Sequence, residues 1–128
     1  MTKENSIFEK LEVVLKKLLR NNPSITSATI SSIEGFPILS LNPRRSDEKV
    51  ISAMVATLLS LSERAVIEMS IGEFNQLYIK GDDGYLLVFD AELAVLAVST
   101  TENVKLGLIF LECERASYEI SKILKREK

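Results

Sequence analysis

Carboxylates are the most plentiful groups in this 128-residue chain that could do chemistry, 18 Asp and Glu against 16 Lys and Arg, and histidine is absent. Paired carboxylates perform acid–base work when their surroundings push their pKa values apart. Glu63, Glu68, Glu112, Glu114 and Glu119 instead fall at the exposed positions of helical stretches, where they read as solvated surface. Without histidine the commonest general base, the Ser-His-Asp arrangement and most transition-metal sites are removed together. Asp82-Asp83-Gly84 begins like a cation loop but lacks the further oxygen ligands of a calcium site, so it reads as a hairpin turn. No P-loop and no GxGxxG occurs, so no nucleotide site is expected in the chain itself. Cys113 is the lone cysteine, which excludes an internal disulfide and a multi-cysteine zinc site. It lies on an apolar helical stripe and reads as a buried, inert thiol. No catalytic residue, cofactor or metal site is therefore expected.

The elements that must position any functional surface are organised around Ser46 to Ile71, which reads as one long helix. Ser46 or Asp47 serves as N-cap, Glu48 adds negative charge to the first turn, and Gly72 follows as a stop. At about 100° per residue, Val50, Ile51, Met54, Leu58, Leu61, Ala65 and Met69 share a face, and Val55, Leu59, Ser62 and Val66 widen it. The opposite side carries Lys49, Ser52, Ala53, Ala56, Ser60, Glu63 and Arg64. An apolar arc of roughly half the helix exceeds what one neighbour covers. Such a helix is expected to cover a sheet and to touch a second body.

Lys3 to Asn21 has helical spacing and ends at Asn22-Pro23; Ile25 to Ile33 and Phe36 to Leu41 read as a hairpin about Glu34-Gly35. Pro37 marks the second strand as an edge. After the long helix, Glu73 to Lys80, Tyr85 to Phe89 and Leu93 to Ser99 read as strands. The last two are apolar at nearly every position, as central strands covered on both faces are. Thr101 to Lys125 reads as the last helix, capped by Thr101, with Gly107 expected at a close packing point. The fold class is α/β (α+β): a three-layer α/β/α sandwich with a five-stranded antiparallel sheet, in the order α-β-β-α-β-β-β-α.

With 46% hydrophobic residues, a mean hydropathy of +0.13 and a mass of 14.3 kDa, residues 1–128 are expected to form one domain. A net charge of −2 with both signs interspersed predicts no nucleic-acid partner. The N-terminus is polar rather than a signal peptide, and no apolar run reaches the ~18 residues a membrane span needs. A cytoplasmic chain with no integral membrane contact is expected. The basic tail, Lys122, Lys125, Arg126 and Lys128, complements the end of the last helix.

Two features remain positive: the wide arc of the long helix and the third strand, which is the least apolar of the later three and falls at a sheet edge. Together they predict a two-fold homodimer, the alternative being a monomer whose edge is blunted by Lys80 and whose extra helix surface is covered by loops. The third strand would pair with its symmetry mate and the long helices would pack over the seam, with Val55, Leu59, Val66, Leu77, Tyr78 and Ile79 at the interface.

The sequence resembles the roadblock domain family, which takes in dynein light chains, the GTPase-activating partner of bacterial gliding motility and lysosomal scaffold subunits. The resemblance covers nearly the whole chain. It is carried by the element order, Gly35, MVATLLSLSERA from Met54 to Ala65, Gly72-Glu73, and KLGLIFLECERASYEI from Lys105 to Ile120. The compact length is similar to that of prokaryotic stand-alone members. The resemblance implies a roadblock/profilin-like fold, a homodimer or a pair with a second roadblock chain, and no enzymatic activity. It implies a dimeric regulator or scaffold that binds a small Ras-like GTPase and modulates its GTP hydrolysis. In the motility member the long-helix face meets the GTPase and reshapes the GTPase's own active site, with no catalytic residue inserted. By the same resemblance Ser52, Ala56, Ser60, Glu63 and Arg64 are the partner-facing candidates. Arg64 reads as an interface or solvent charge in preference to an arginine finger. The alternative left open is a structural adaptor of light-chain type with no nucleotide-linked activity. A small-ligand sensor, the third reading, finds no convergent polar pocket in the sequence pattern.

Overall fold

A computed structural model describes residues 3–41 and 47–126. The elements run α1 (Lys3–Asn21), β1 (Ile25–Ser32), β2 (Pro37–Leu41), α2 (Glu48–Glu68), β3 (Gln76–Gly81), β4 (Gly84–Asp90), β5 (Ala94–Thr101) and α3 (Leu106–Arg126). The strands form one antiparallel sheet in the order β2-β1-β5-β4-β3. Helices α1 and α3 cover one face and α2 the other, so the three-layer architecture is as expected. Pro37 opens an edge strand, where its missing N–H costs no ladder bond.

Alternation along the strands feeds two cores. Ala28, Ile30, Leu87, Phe89, Leu96 and Val98 pack with Leu11, Leu15, Ile109, Cys113 and Ile120 of the paired helices. Val88, Val95 and Ala97 turn the other way, onto Val55 and Leu59 of α2. Because both faces are covered, β4 and β5 can be apolar at successive positions. Asn22 ties the α1–α3 layer together: its Nδ2 donates to the Leu18 carbonyl at 2.9 Å, closing α1, and to Glu112 Oε1 at 3.4 Å on α3.

Several boundaries differ from the sequence expectation. Asp47 caps α2, its Oδ1 accepting from the Lys49 N–H at 2.9 Å. Ser46 and the expected loop residues 42–45 lie outside the described residues, as does Lys128. Helix α2 ends at Glu68, short of Ile71, in a Schellman turn: the Ser70 N–H donates to the Ile67 carbonyl and the Ile71 N–H to the Val66 carbonyl. The left-handed residue of that turn is Ser70, at φ +57°. Strand β3 starts at Gln76 rather than Glu73, where its pairing with β4 begins opposite Phe89. Thr101 is not a helix cap. It extends β5 opposite Gly84 and donates its N–H to the Ser24 carbonyl, so α3 begins five residues later. Gly107 is exposed, and a side chain there would meet nothing within 4 Å, so close packing does not explain it.

Candidate interaction surface

Helix α2 has two apolar sides. Ser52, Val55, Ala56 and Leu59 are buried against the sheet. On the opposite side Val50 and Leu61 are each 61% exposed, with Met54 beside them. These three recur at helical spacing and form a stripe facing away from the sheet. The packing also fixes the two flanks. Gly35, at the β1–β2 hairpin, lies against Ala53 and Ala56, so that flank of α2 faces the hairpin. Ile51, like Leu77 and Leu86, packs against the Val55–Leu59–Val88 cluster, and it lies on the other flank of α2, which with Met54, Leu58 and Ala65 faces the β3 side.

Among the described residues, strand β3 has no neighbour on its outer side. Leu77 and Ile79 are on the α2 face of the sheet, and Tyr78 is on the α3 face, where its ring meets Phe110 at 5.7 Å between centroids. Tyr78 and Ile79 are 54% and 43% exposed. An edge of unpaired backbone flanked by exposed apolar side chains is a template for another strand.

The phase of α2 turns part of the site expected from sequence towards the chain's own core. Val55 and Leu59, expected at a dimer interface, are committed to the chain's own core. Ser52 and Ala56, expected to face a partner, are also buried; Ser52 gives its carbonyl oxygen to the Ser31 hydroxyl at 3.1 Å. Small side chains at 52 and 56 let α2 approach the β1–β2 hairpin closely, which outweighs their low hydrophobicity. The other expected residues stay at or near the surface: Ser60 and Arg64 exposed, Glu63 and Val66 half-buried, Leu77 half-buried at the edge. Arg64 lies 3.9 Å from Glu68 on the same helix, an exposed pair of small energetic weight. Sequence reasoning missed the solvent-facing role of Val50, Met54 and Leu61. The available signal was the uncharged run from Val50 to Ser62, which places apolar groups all around the helix. By length and composition α2 is also apolar enough to cross a membrane, contrary to the expectation from uninterrupted apolar runs; here one side of it is seated on the sheet.

No grouping of three His, Cys, Asp or Glu side chains suited to a metal occurs among the described residues. Cys113 is fully buried, and burial, reinforced by the nearby Glu112 charge, pushes its thiol pKa up to about 12, far from the range of a nucleophile. An open cleft of about 490 Å³ lies between the start of β3 and the C-terminal half of α3. Asp90, Glu92 and Glu114 contribute carboxylates to it, and Phe74 and Tyr118 contribute rings. The buried Ser117 and Ser121 hydroxyls donate to their own helix, to the Glu114 and Tyr118 carbonyls, so the cleft is not a set of convergent donors around a reacting atom.

Residues 11–100 match the Roadblock/LC7 domain family. The chain belongs to that family. This roadblock chain is 30% identical to the uncharacterized protein MJ1340 of Methanocaldococcus jannaschii over 102 residues, covering 80% of the present chain and 90% of that one. Its fold superposes on a structure described as MglB with tetrameric arrangement at a TM-score of 0.84, with 21% identity, covering 94% of this chain and 91% of that one. It superposes on Myxococcus xanthus MglB at 0.83, with 20% identity, covering 91% and 96% of the two chains. The sandwich, the edge position of β3 and the covering position of α2 are thus those of a roadblock domain.

Proposed function

We propose that this roadblock chain is a non-catalytic regulator or scaffold that works as a two-fold dimer and binds a small Ras-like GTPase. The observation that supports this reading best is the meeting of two unsatisfied features on one side of the molecule. The α2 stripe of Val50, Met54 and Leu61 is apolar and solvent-facing, and the adjacent β3 edge is unpaired. Pairing β3 with a symmetry mate would join the two sheets and bring the Met54–Leu58–Ala65 flanks of two α2 helices together over the seam. Leu77, Tyr78, Ile79 and Val66 remain interface residues in this reading.

The other flank of α2 is then left for the GTPase. It carries Ser60 and Arg64, with Glu63 at its margin, and it adjoins the hairpin tip where Ile33 and Phe36 are exposed. The partner's active site would be ordered from outside, because this surface supplies no general base and no nucleotide cradle. The resemblance to the gliding-motility regulator points to the same mode of action.

Light scattering across a dilution series tests the first half: a mass near twice 14.3 kDa is expected. The second half is tested with a small GTPase of the same genome, loaded with a GTP analogue or GDP and titrated onto the chain. Preference for the GTP-analogue form, weakened by Arg64→Glu and Phe36→Ser, is expected. Equal binding of both forms would favour the light-chain-type adaptor instead.

A further inference from the structure

The cleft between the start of β3 and the C-terminal half of α3 carries one sign of charge. At about 490 Å³ it falls within the range of small-molecule sites. Asp90, Glu92 and Glu114 give it three carboxylates, and among the described residues no lysine or arginine lines it. Two of its neutral groups are also set to accept. The buried Ser117 and Ser121 hydroxyls spend their protons on the Glu114 and Tyr118 carbonyls, so their oxygens can only accept further bonds. An anion entering this cleft meets three like charges, whereas an ammonium, with three donors and no acceptor, meets its complement.

The carboxylates share the cleft without converging on a point. No three acidic side chains among the described residues are grouped as a metal ion requires. Each carboxylate has its own circumstances. Glu92 is held by Lys125 at 2.6 Å, and Asp90 gives its Oδ1 to the Glu92 N–H at 2.7 Å, which leaves its other oxygen. Glu114 is exposed, and its carboxylate makes no ion pair among the described residues. The rings of Phe74 and Tyr118 line the same cleft. Separate carboxylates and aromatic rings in one concavity call for an extended cation, with its charges held apart by apolar spacers.

The chain's own last helical turns show both contacts at the rim. The Lys125 ammonium is on Glu92, and the Lys122 ammonium lies 5.2 Å from the centre of the Tyr118 ring. A cation within about 6 Å of a ring face is attracted by the ring quadrupole. We infer that this cleft binds a linear polyamine, with ammonium groups on Glu114 and Asp90 and the methylene chain across Phe74 and Tyr118. The site is built from one chain. It needs neither the β3 seam nor the GTPase, so it stands or falls separately from the function proposed above.

The test is equilibrium dialysis of radiolabelled spermidine against the full chain at about 0.15 M salt, where attraction between exposed charges is screened beyond about 8 Å. One spermidine per chain is expected, bound more tightly than putrescine, which has one ammonium fewer. Glu114→Lys is expected to weaken binding at least about tenfold, and Tyr118→Ala several-fold. Glu9→Lys makes the same charge change on the exposed side of α1 and is expected to leave binding unchanged. Glu114 and Tyr118 are exposed, so both variants should keep the parent's unfolding midpoint. Absence of saturable binding, or full affinity in either cleft variant, would overturn the site. Equal losses in Glu114→Lys and Glu9→Lys, or displacement of spermidine by an equal concentration of magnesium, would reduce the effect to diffuse counterion attraction and overturn it as well.

Discussion

Gly35 and Ala53 hold the hairpin and the long helix in near backbone contact: a Cβ on Gly35 would lie 3.1 Å from the Ala53 Cα. Gly35 also sits at φ +97°, a conformation that L-residues rarely adopt. Both constraints act against any side chain. Gly35→Ala is expected to lose about 1–3 kcal/mol of stability, measured by urea unfolding, with the hairpin-adjacent flank of α2 displaced.

Ser70 carries the opposite opportunity. It occupies the left-handed position of the α2 Schellman turn at φ +57°, where an L-residue costs about 1–2 kcal/mol relative to the right-handed region. Ser70→Gly relieves that strain and returns part of it as unfolded-chain entropy. A net gain of about 0.5–1 kcal/mol, or about 2–4 °C in Tm, is expected by calorimetry.

Ser52 is fully buried, and among the described residues its hydroxyl oxygen has no hydrogen-bond partner. An unsatisfied buried hydroxyl costs about 1–3 kcal/mol. Ser52→Ala is expected to leave stability unchanged or raise it by about 1 kcal/mol. It is also expected to leave GTPase affinity unchanged, since no partner reaches this position; a loss of affinity would place Ser52 back at the interface.

Val55 and Leu61 lie on opposite sides of one helix and should separate folding from assembly. Val55→Ala removes buried methyl groups from the α2-side core and is expected to cost about 2–3 kcal/mol in denaturant unfolding. Leu61→Glu changes an exposed position, where substitutions usually stay within about 0.5 kcal/mol. Its expected effect is on mass: light scattering should show the dimer dissociating at concentrations where the parent chain remains paired.

Cys113 predicts the alkaline behaviour. Its thiol pKa is raised by burial from 9.0 to about 12, so the folded chain holds the proton after the unfolded chain has lost it. The unfolded state then binds fewer protons, and stability falls as pH rises from about 9 towards 12. Below pH 9 the residue contributes no pH dependence. A Cys113→Ser variant is expected to flatten this alkaline slope. In the parent chain, a thiol reagent should label Cys113 only at the rate of global opening.

Much of the fold was legible because it rests on local chemistry. Pro37 marked an edge, Glu34-Gly35 a hairpin, and the unbroken apolarity of β4 and β5 a two-sided burial. Boundaries were less legible where a partner strand decides them. Thr101 has the chemistry of a cap, yet β4 reaches far enough to hold it in the sheet. Gly84 belongs to the same junction: a side chain there would overlap the Thr100 carbonyl, a constraint visible only once β4 and β5 are paired.

The sequence alone determined the number and order of elements, the antiparallel sheet, the absence of a histidine-based active site, and a helix with more apolar surface than one sheet can cover. Tertiary structure decided which side of that helix is covered. Periodicity gives the spacing of a helical face but not its phase when apolar residues surround the axis. The hairpin supplied the phase: backbone contact at Gly35 requires the small side chains of Ala53 and Ala56 beside it, which turns Ser52 and Ala56 inward and leaves Val50, Met54 and Leu61 facing solvent.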